Sequence, residues 1–332
     1  MKQLVKNRTI LHGDVIDKLL TIKDESIDCA VWSPPYFKVR DYDVEGQWGL
    51  ETNIHDYLEN LRQVMAILKR KLKPTGTCWV NLGDKYMNEK PSHPLGLEQK
   101  TRLGIPERFY ISAIDSGWIA RNHIPWFKTN PMPFSGKDRL SNVWESVFFF
   151  TKSRKYYFNL DAIRIPTKGN YKIFNVRVRD AEKPRFLQKD TKKEKKLKQD
   201  GVIDPTTGRP KPDYKGFNKR WKENKSNKGK NPGDVWVFST QPFPDAHFAT
   251  FPEKLITRIL KAGCPKGGMV LDPFFGAGTT GLVAERLRMK WIVILQLQDQ
   301  QAWENLHLQE NYFIGLKDLN QINIKYIQER ML

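Results

Sequence analysis

Apolar residues along this chain fall into two alternating kinds of run. Short continuous runs, Cys29-Ala30-Val31-Trp32, Thr77–Leu82, Val143–Thr151, Met269–Leu271 and Trp291–Gln296, predict strands buried on both faces. Thr9–Asp14 and Ile119–Phe127 predict two more. Between them the period lengthens: Leu58, Leu61, Val64, Met65, Ile67, Leu68 and Leu72 keep helical spacing over 54–72, with Pro74-Thr75-Gly76 as the expected stop. Val15–Leu20, Ile105–Ser116, a segment starting at Phe251-Pro252-Glu253 and Leu282–Leu287 predict further helices. Helix followed by strand, repeated, predicts an α/β fold whose sheet is mostly parallel and binds ligands at the carboxyl ends of its strands.

Two stretches carry candidate chemistry at such ends. Ser33-Pro34-Pro35-Tyr36 follows the Cys29–Trp32 run, and its prolines end the strand because neither can donate to a sheet ladder. A hydroxyl, carbonyls held by fixed φ angles and an aromatic face suit a planar ring bearing an amino group; a strand ending in a packed Pro-Pro turn is the plainer alternative. The second stretch is Asp272-Pro273-Phe274-Phe275-Gly276-Ala277-Gly278-Thr279-Thr280, a strand end opening through glycines into a helix. Its Gly276–Gly281 portion fits the loose G-x-G-x-x-G dinucleotide pattern, but the next strand ends at Gln296 rather than at the acidic residue a nicotinamide site requires.

Taken together, these stretches resemble the amino-group DNA methyltransferases that use S-adenosylmethionine. Their order, tetrapeptide first and glycine loop last, is similar to that of the permuted beta class. The resemblance extends to Gly13-Asp14, Asn81-Leu82-Gly83-Asp84, Trp126–Pro131, Gly233–Trp236 and His247–Glu253. It implies a Rossmann-like methyltransferase fold with helices on both faces of a mixed, mostly parallel sheet, a circularly permuted motif order and a basic DNA-recognition insert. It implies Ser33, Pro34, Pro35 and Tyr36 as catalytic residues. Asp14, Asp84, Phe251, Asp272, Phe274, Gly276, Gly278, Thr279, Thr280 and Gln296 are the implied contacts of S-adenosyl-L-methionine. Asp14 is equally well explained as a helix N-cap. The family usually ends the strand after the glycine loop in an acid that holds the ribose hydroxyls. Here Gln296 stands at that distance, Asp299 is nearby, and Asp318 lies in a second similar segment, so the ribose partner stays open.

Charge adds a partner. The chain carries +19, and residues 168–230 hold 21 Lys and Arg against 8 Asp and Glu, that is +13 of the total. Tyr214, Phe217 and Trp221 interleave with them. This predicts a polyanionic partner, most simply nucleic acid. By its position the basic segment resembles the target-recognition region of the beta class, so the resemblance implies double-stranded DNA as partner, with residues 1–165 as the catalytic half, 166–232 as the target-recognition insert and 233–332 as the cofactor half. A solvated charged insert is the alternative. Serine at the head of the tetrapeptide resembles the cytosine-N4 members, where aspartate is more usual for adenine-N6 members. A DNA-binding protein with a decayed cofactor site is the reading from another class. Cys29, Cys78 and Cys264 lack metal or disulfide spacing and read as buried small side chains, and no metal is expected. The absence of a signal-type or membrane-length apolar run predicts a cytoplasmic protein with no membrane partner. The resemblance leaves open a cognate restriction endonuclease as companion, and the sequence leaves open monomer or homodimer.

Overall fold

The computed structural model describes residues 8–41, 46–88, 97–165, 229–240 and 251–296. Its strands are β1 (Arg8–His12), β2 (Ile27–Trp32), β3 (Leu72–Leu82), β4 (Ile119–Lys128), β5 (Trp144–Thr151), β6 (Trp236–Phe238), β7 (Met269–Asp272) and β8 (Lys290–Leu295). They form one sheet in the order β1-β8-β7-β2-β3-β5-β4-β6. β5 runs antiparallel to both its neighbours, and every other pairing is parallel.

Alternation along the strands builds a core on each face. Trp32, Val80, Phe148, Phe150 and Ile292 pack into one core with α1 (Val15–Thr21), α2 (Ile54–Lys71) and α3 (Ile105–Asp115). Val31, Trp79, Val147, Phe149 and Val293 enter the other, with α4 (Glu253–Gly263) and α5 (Thr279–Arg286). Two-sided burial is why these strands read as unbroken apolar runs. α2 supplies the longest stripe: Ile54, Tyr57, Leu61, Val64, Met65 and Leu68 are all buried. Asn53 caps it by accepting from the Asp56 amide at 3.0 Å.

One boundary differs from the sequence reading. Pro74-Thr75-Gly76 does not separate the helix from its strand; β3 begins at Leu72, directly after α2. The register against β2 jumps from Ile27–Leu72 to Cys29–Thr77, so the proline segment is absorbed as an irregularity at the start of the ladder. A strand tolerates proline at its first residues or at a bulge, so Pro74 was a stop for the helix but not for the strand.

The chain divides into two compact units, Met1–Ile163 with Gly233–Leu332, and Arg164–Pro232. In the second, Ile165 and Lys230 exchange both backbone hydrogen bonds, at 3.0 and 2.8 Å, so its described ends are paired. The rest of the expected target-recognition insert lies outside the described residues, as do His247, Asp299 and Asp318. Cys29, Cys78 and Cys264 are free thiols, all buried. Among the described residues no helix is long and apolar enough to cross a membrane.

Candidate active site

The sheet's connectivity singles out one crevice. From β2 the chain moves to β3 on one side, and from β7 it moves to β8 on the other, so strand order reverses between β2 and β7. A crevice at such a switch point, outside the carboxyl ends of the strands, is where open α/β sheets bind ligands. Ser33-Pro34-Pro35-Tyr36 leaves the end of β2, and Asp272 ends β7. The two strands pair through Cys29–Val270 and Ala30–Leu271, so both stretches emerge side by side. Their aromatic neighbours touch: Phe274 stacks on Trp32 with centroids 5.5 Å apart and planes at 22°.

The tetrapeptide is held from several directions. Pro34 is buried, and the Tyr57 hydroxyl on α2 donates to the Pro35 carbonyl at 2.8 Å. The Tyr36 ring lies on Gly83, just past β3, where a Cβ would sit 2.4 Å from ring atom Cε2. Gly83 is thus required by contact with the ring. The Tyr36 hydroxyl donates to Glu145 Oε2 at 2.9 Å, has Asn81 Oδ1 at 3.3 Å, and accepts from the Ser33 hydroxyl at 3.5 Å. Asn81 Nδ2 donates to Glu145 Oε2 at 3.2 Å and to the Ser146 carbonyl at 3.1 Å. Lys128, at the end of β4, forms an ion pair with Glu145. Burial first, and then the Glu145 charge, push the Tyr36 phenol well above its ordinary value of 10.0.

On the β7 side, Asp272 is fully buried and its Oδ1 accepts the Phe274 amide at 3.0 Å. Phe274 is buried between Trp32 and Trp48, meeting the latter edge-on at 5.5 Å. The expected contact residue is therefore part of the floor joining the two stretches. Gly276 and Gly278 have φ of +49° and +88°, the left-handed region that favours glycine, and Gly278 caps α5. Thr279 begins α5, and Thr280 is buried within it with no partner for its hydroxyl among the described residues. Gln296, one residue past β8, is buried, and its Nε2 likewise has no partner there.

Other predicted residues sit differently. Asp14 Oδ1 accepts from Ile16 and Asp17 at 2.8 and 3.2 Å, so it caps α1, and its Oδ2 accepts from Trp48 Nε1 at 3.4 Å. Phe251 packs partly buried against the α4 core. Asp84 departs most from expectation. Its Oδ1 accepts from the Lys85 and Ile105 amides, and its Oδ2 from Arg102 Nε and the Gly104 amide, at 2.6 to 3.1 Å. Four donors use the capacity of a carboxylate, so in this structure Asp84 clamps the start of α3. Glu145 and Trp48 were not singled out from the sequence. Glu145 was nevertheless visible as the carboxylate inside an otherwise apolar strand run, which needs a partner when buried.

The profile of the DNA methylase family, covering the N6 and N4 methyltransferases, matches residues 27–302. The chain belongs to this family. Its methyl donor is accordingly S-adenosyl-L-methionine. The DNA methylase fold is shared with relatives along most of the chain. Type II methyltransferase M.XycI of Xanthomonas campestris pv. cyanopsidis is 32% identical over 309 residues, covering 88% of this chain and 84% of its own. M.SmaI of Serratia marcescens is 31% identical over 311 residues, covering 88% and 87%. Among solved structures, the PvuII DNA methyltransferase (cytosine-N4-specific) superposes with a TM-score of 0.58 at 19% identity, over 89% of this chain and 85% of its own. A DNA modification methylase from Thermus thermophilus, solved with S-adenosyl-L-methionine, gives 0.54 at 19% identity, over 92% and 96%. Both likenesses concern the fold.

Proposed function

We propose that this chain transfers a methyl group from S-adenosyl-L-methionine to the exocyclic N4 of cytosine in duplex DNA, as the modification enzyme of a restriction-modification pair. The observation that carries the reading is the Ser33 hydroxyl at the switch point, on a turn stacked through Trp32 against the Asp272–Gly278 loop. The type II names of M.XycI and M.SmaI and the cytosine-N4 specificity in the PvuII enzyme's name support it.

The residues fit the donor. Buried polar atoms at Thr280 and Gln296 that have no partner among the described residues, in the stretch of the left-handed glycines and at the end of the next strand, suit a ligand with hydroxyl and ammonium groups. Asp272, Gly276, Gly278, Thr279, Thr280 and Gln296 would hold it, with Phe251 and Asp14 at the margins. When bound, S-adenosyl-L-methionine supplies an electrophilic methyl group on a sulfonium. If Gln296 stands in the acid's place, it would make a weaker, uncharged contact to the ribose hydroxyls.

The protein's own work is orientation. An exocyclic amine is a poor nucleophile because its lone pair is shared with the ring. Ser33 and the Pro34 carbonyl accept its two N–H bonds, which favours a pyramidal nitrogen with its lone pair free for in-line attack. Tyr36, fixed between Gly83 and Glu145, holds the flipped base by stacking. Residues 166–232 neutralise phosphates and read the site.

Labelled S-adenosyl-L-methionine and unmethylated bacterial DNA, followed by digestion to nucleosides, test the reading. N4-methylcytosine is expected. N6-methyladenine would keep the mechanism and overturn the base, and no label with no cofactor binding would mark a DNA-binding relic.

A further inference from the structure

We propose that Glu145 is a positioning residue that sets the direction of the hydrogen-bond chain ending at Ser33, and so makes the site accept an amino group and reject a carbonyl at the target base. This rests on the functional reading above. Glu145 itself does not reach the tetrapeptide's serine; it acts through Tyr36.

The direction follows from which groups can only accept. The Ser146 carbonyl is an acceptor, so Asn81 must present Nδ2 to it, at 3.1 Å; the same nitrogen reaches Glu145 Oε2. Asn81 therefore turns its Oδ1 toward Tyr36, at 3.3 Å. The Glu145 carboxylate, held by Lys128, is the second acceptor facing the phenol, at 2.9 Å. With acceptors on that side, the single phenolic proton points to Glu145, and the phenol oxygen turns its lone pairs to Ser33. The Ser33 proton goes to Tyr36, at 3.5 Å. What Ser33 has left for a substrate is lone pairs. These match the N–H of cytosine N4 or adenine N6 and face a uracil or hypoxanthine oxygen lone pair to lone pair. The raised phenol pKa agrees, since Tyr36 then keeps its proton over the whole working pH range.

Glu145→Gln keeps the shape but can offer an N–H to Tyr36, which lets the chain reverse. The site this enzyme modifies is first located by mapping methylated bases in treated DNA. Binding is then measured, with S-adenosylhomocysteine present, to duplexes carrying either the target cytosine or uracil at that position. Each stands opposite an abasic site so that extrusion costs the same. If adenine is the target, hypoxanthine replaces uracil. The wild type should prefer the amino base by about tenfold or more, the scale of one unpaired buried group. E145Q should shrink that preference severalfold, the remainder resting on the Pro34 carbonyl, which can only accept in either protein, and should lower kcat about tenfold or more, with cofactor affinity unchanged. Tyr36→Phe should behave the same, and the double variant should add little, because both break one chain. E145Q with an intact preference overturns the proposal, whether kcat is kept or falls with thermal stability. Independent, additive losses in the two variants also overturn it. Failure of the wild type to methylate any DNA would instead count against the functional reading.

Discussion

Gly83 shows how a single hydrogen can matter at a site it does not chemically enter. Its backbone needs no glycine, yet a Cβ there would lie 2.4 Å from the Tyr36 ring, inside any real contact distance. Gly83→Ala should displace the ring by about an ångström and lower kcat about a hundredfold, the scale expected for misplacing a reacting group that far. Melting temperature should change far less than it does for a core truncation. Steady-state kinetics beside thermal unfolding check this, and an alanine variant with normal kcat would mean the ring position is unimportant. The same contact shows why residue roles were only partly legible. Ser33, Tyr36 and Asp272 stood out because their motif is local. Glu145 reaches Tyr36 from more than a hundred positions along the chain, and no local pattern encodes that meeting.

Among the elements, strands and helices were largely legible because two-sided burial and helical periodicity write themselves into short windows. The start of β3 was not, since Pro74 stops a helix while a register irregularity lets the strand pass it. The contacts of Asp84 were not legible for a related reason: an acid after a strand looks the same whether it meets a ligand or a helix. Here it clamps the start of α3 through four donors. Asp84→Ala should therefore destabilise the fold by about 1–3 kcal/mol, as expected when buried donors lose their acceptor, while cofactor affinity in the folded protein stays within about twofold. Denaturant unfolding and calorimetric titration separate the two. A large loss of affinity with intact stability would return Asp84 to the cofactor site.

For the whole molecule, burial makes alkaline pH destabilising. Desolvation raises the Cys29 and Cys78 thiols from 9.0 to about 12, and it raises the Tyr36 and Tyr57 phenols well above 10.0. Above about pH 9 the unfolded chain releases these protons while the folded chain keeps them. Stability is full below that point and falls as pH climbs from about 9 toward 12. Denaturant midpoints across that window should decline steadily, and a flat profile would contradict the burial. Charge makes the second global prediction. With +19 overall and +13 of it in residues 168–230, DNA affinity should fall steeply with salt, by about 10³ or more between 50 and 200 mM for six or more phosphate contacts. A salt-insensitive complex would argue against phosphate binding. The insert's charge was plain in the sequence, but which side chains read bases is not a compositional property.

The most direct test of the functional account compares initial rates of methyl transfer to DNA for the wild type and Ser33→Ala, with cofactor affinity measured on both. Losing an acceptor of the target amine should lower kcat about a hundredfold or more, while S-adenosyl-L-methionine binds both proteins within about twofold. A Ser33→Ala protein that methylates DNA at the wild-type rate would show that the hydroxyl at the switch point does not orient the amine, and the proposed mechanism would fall.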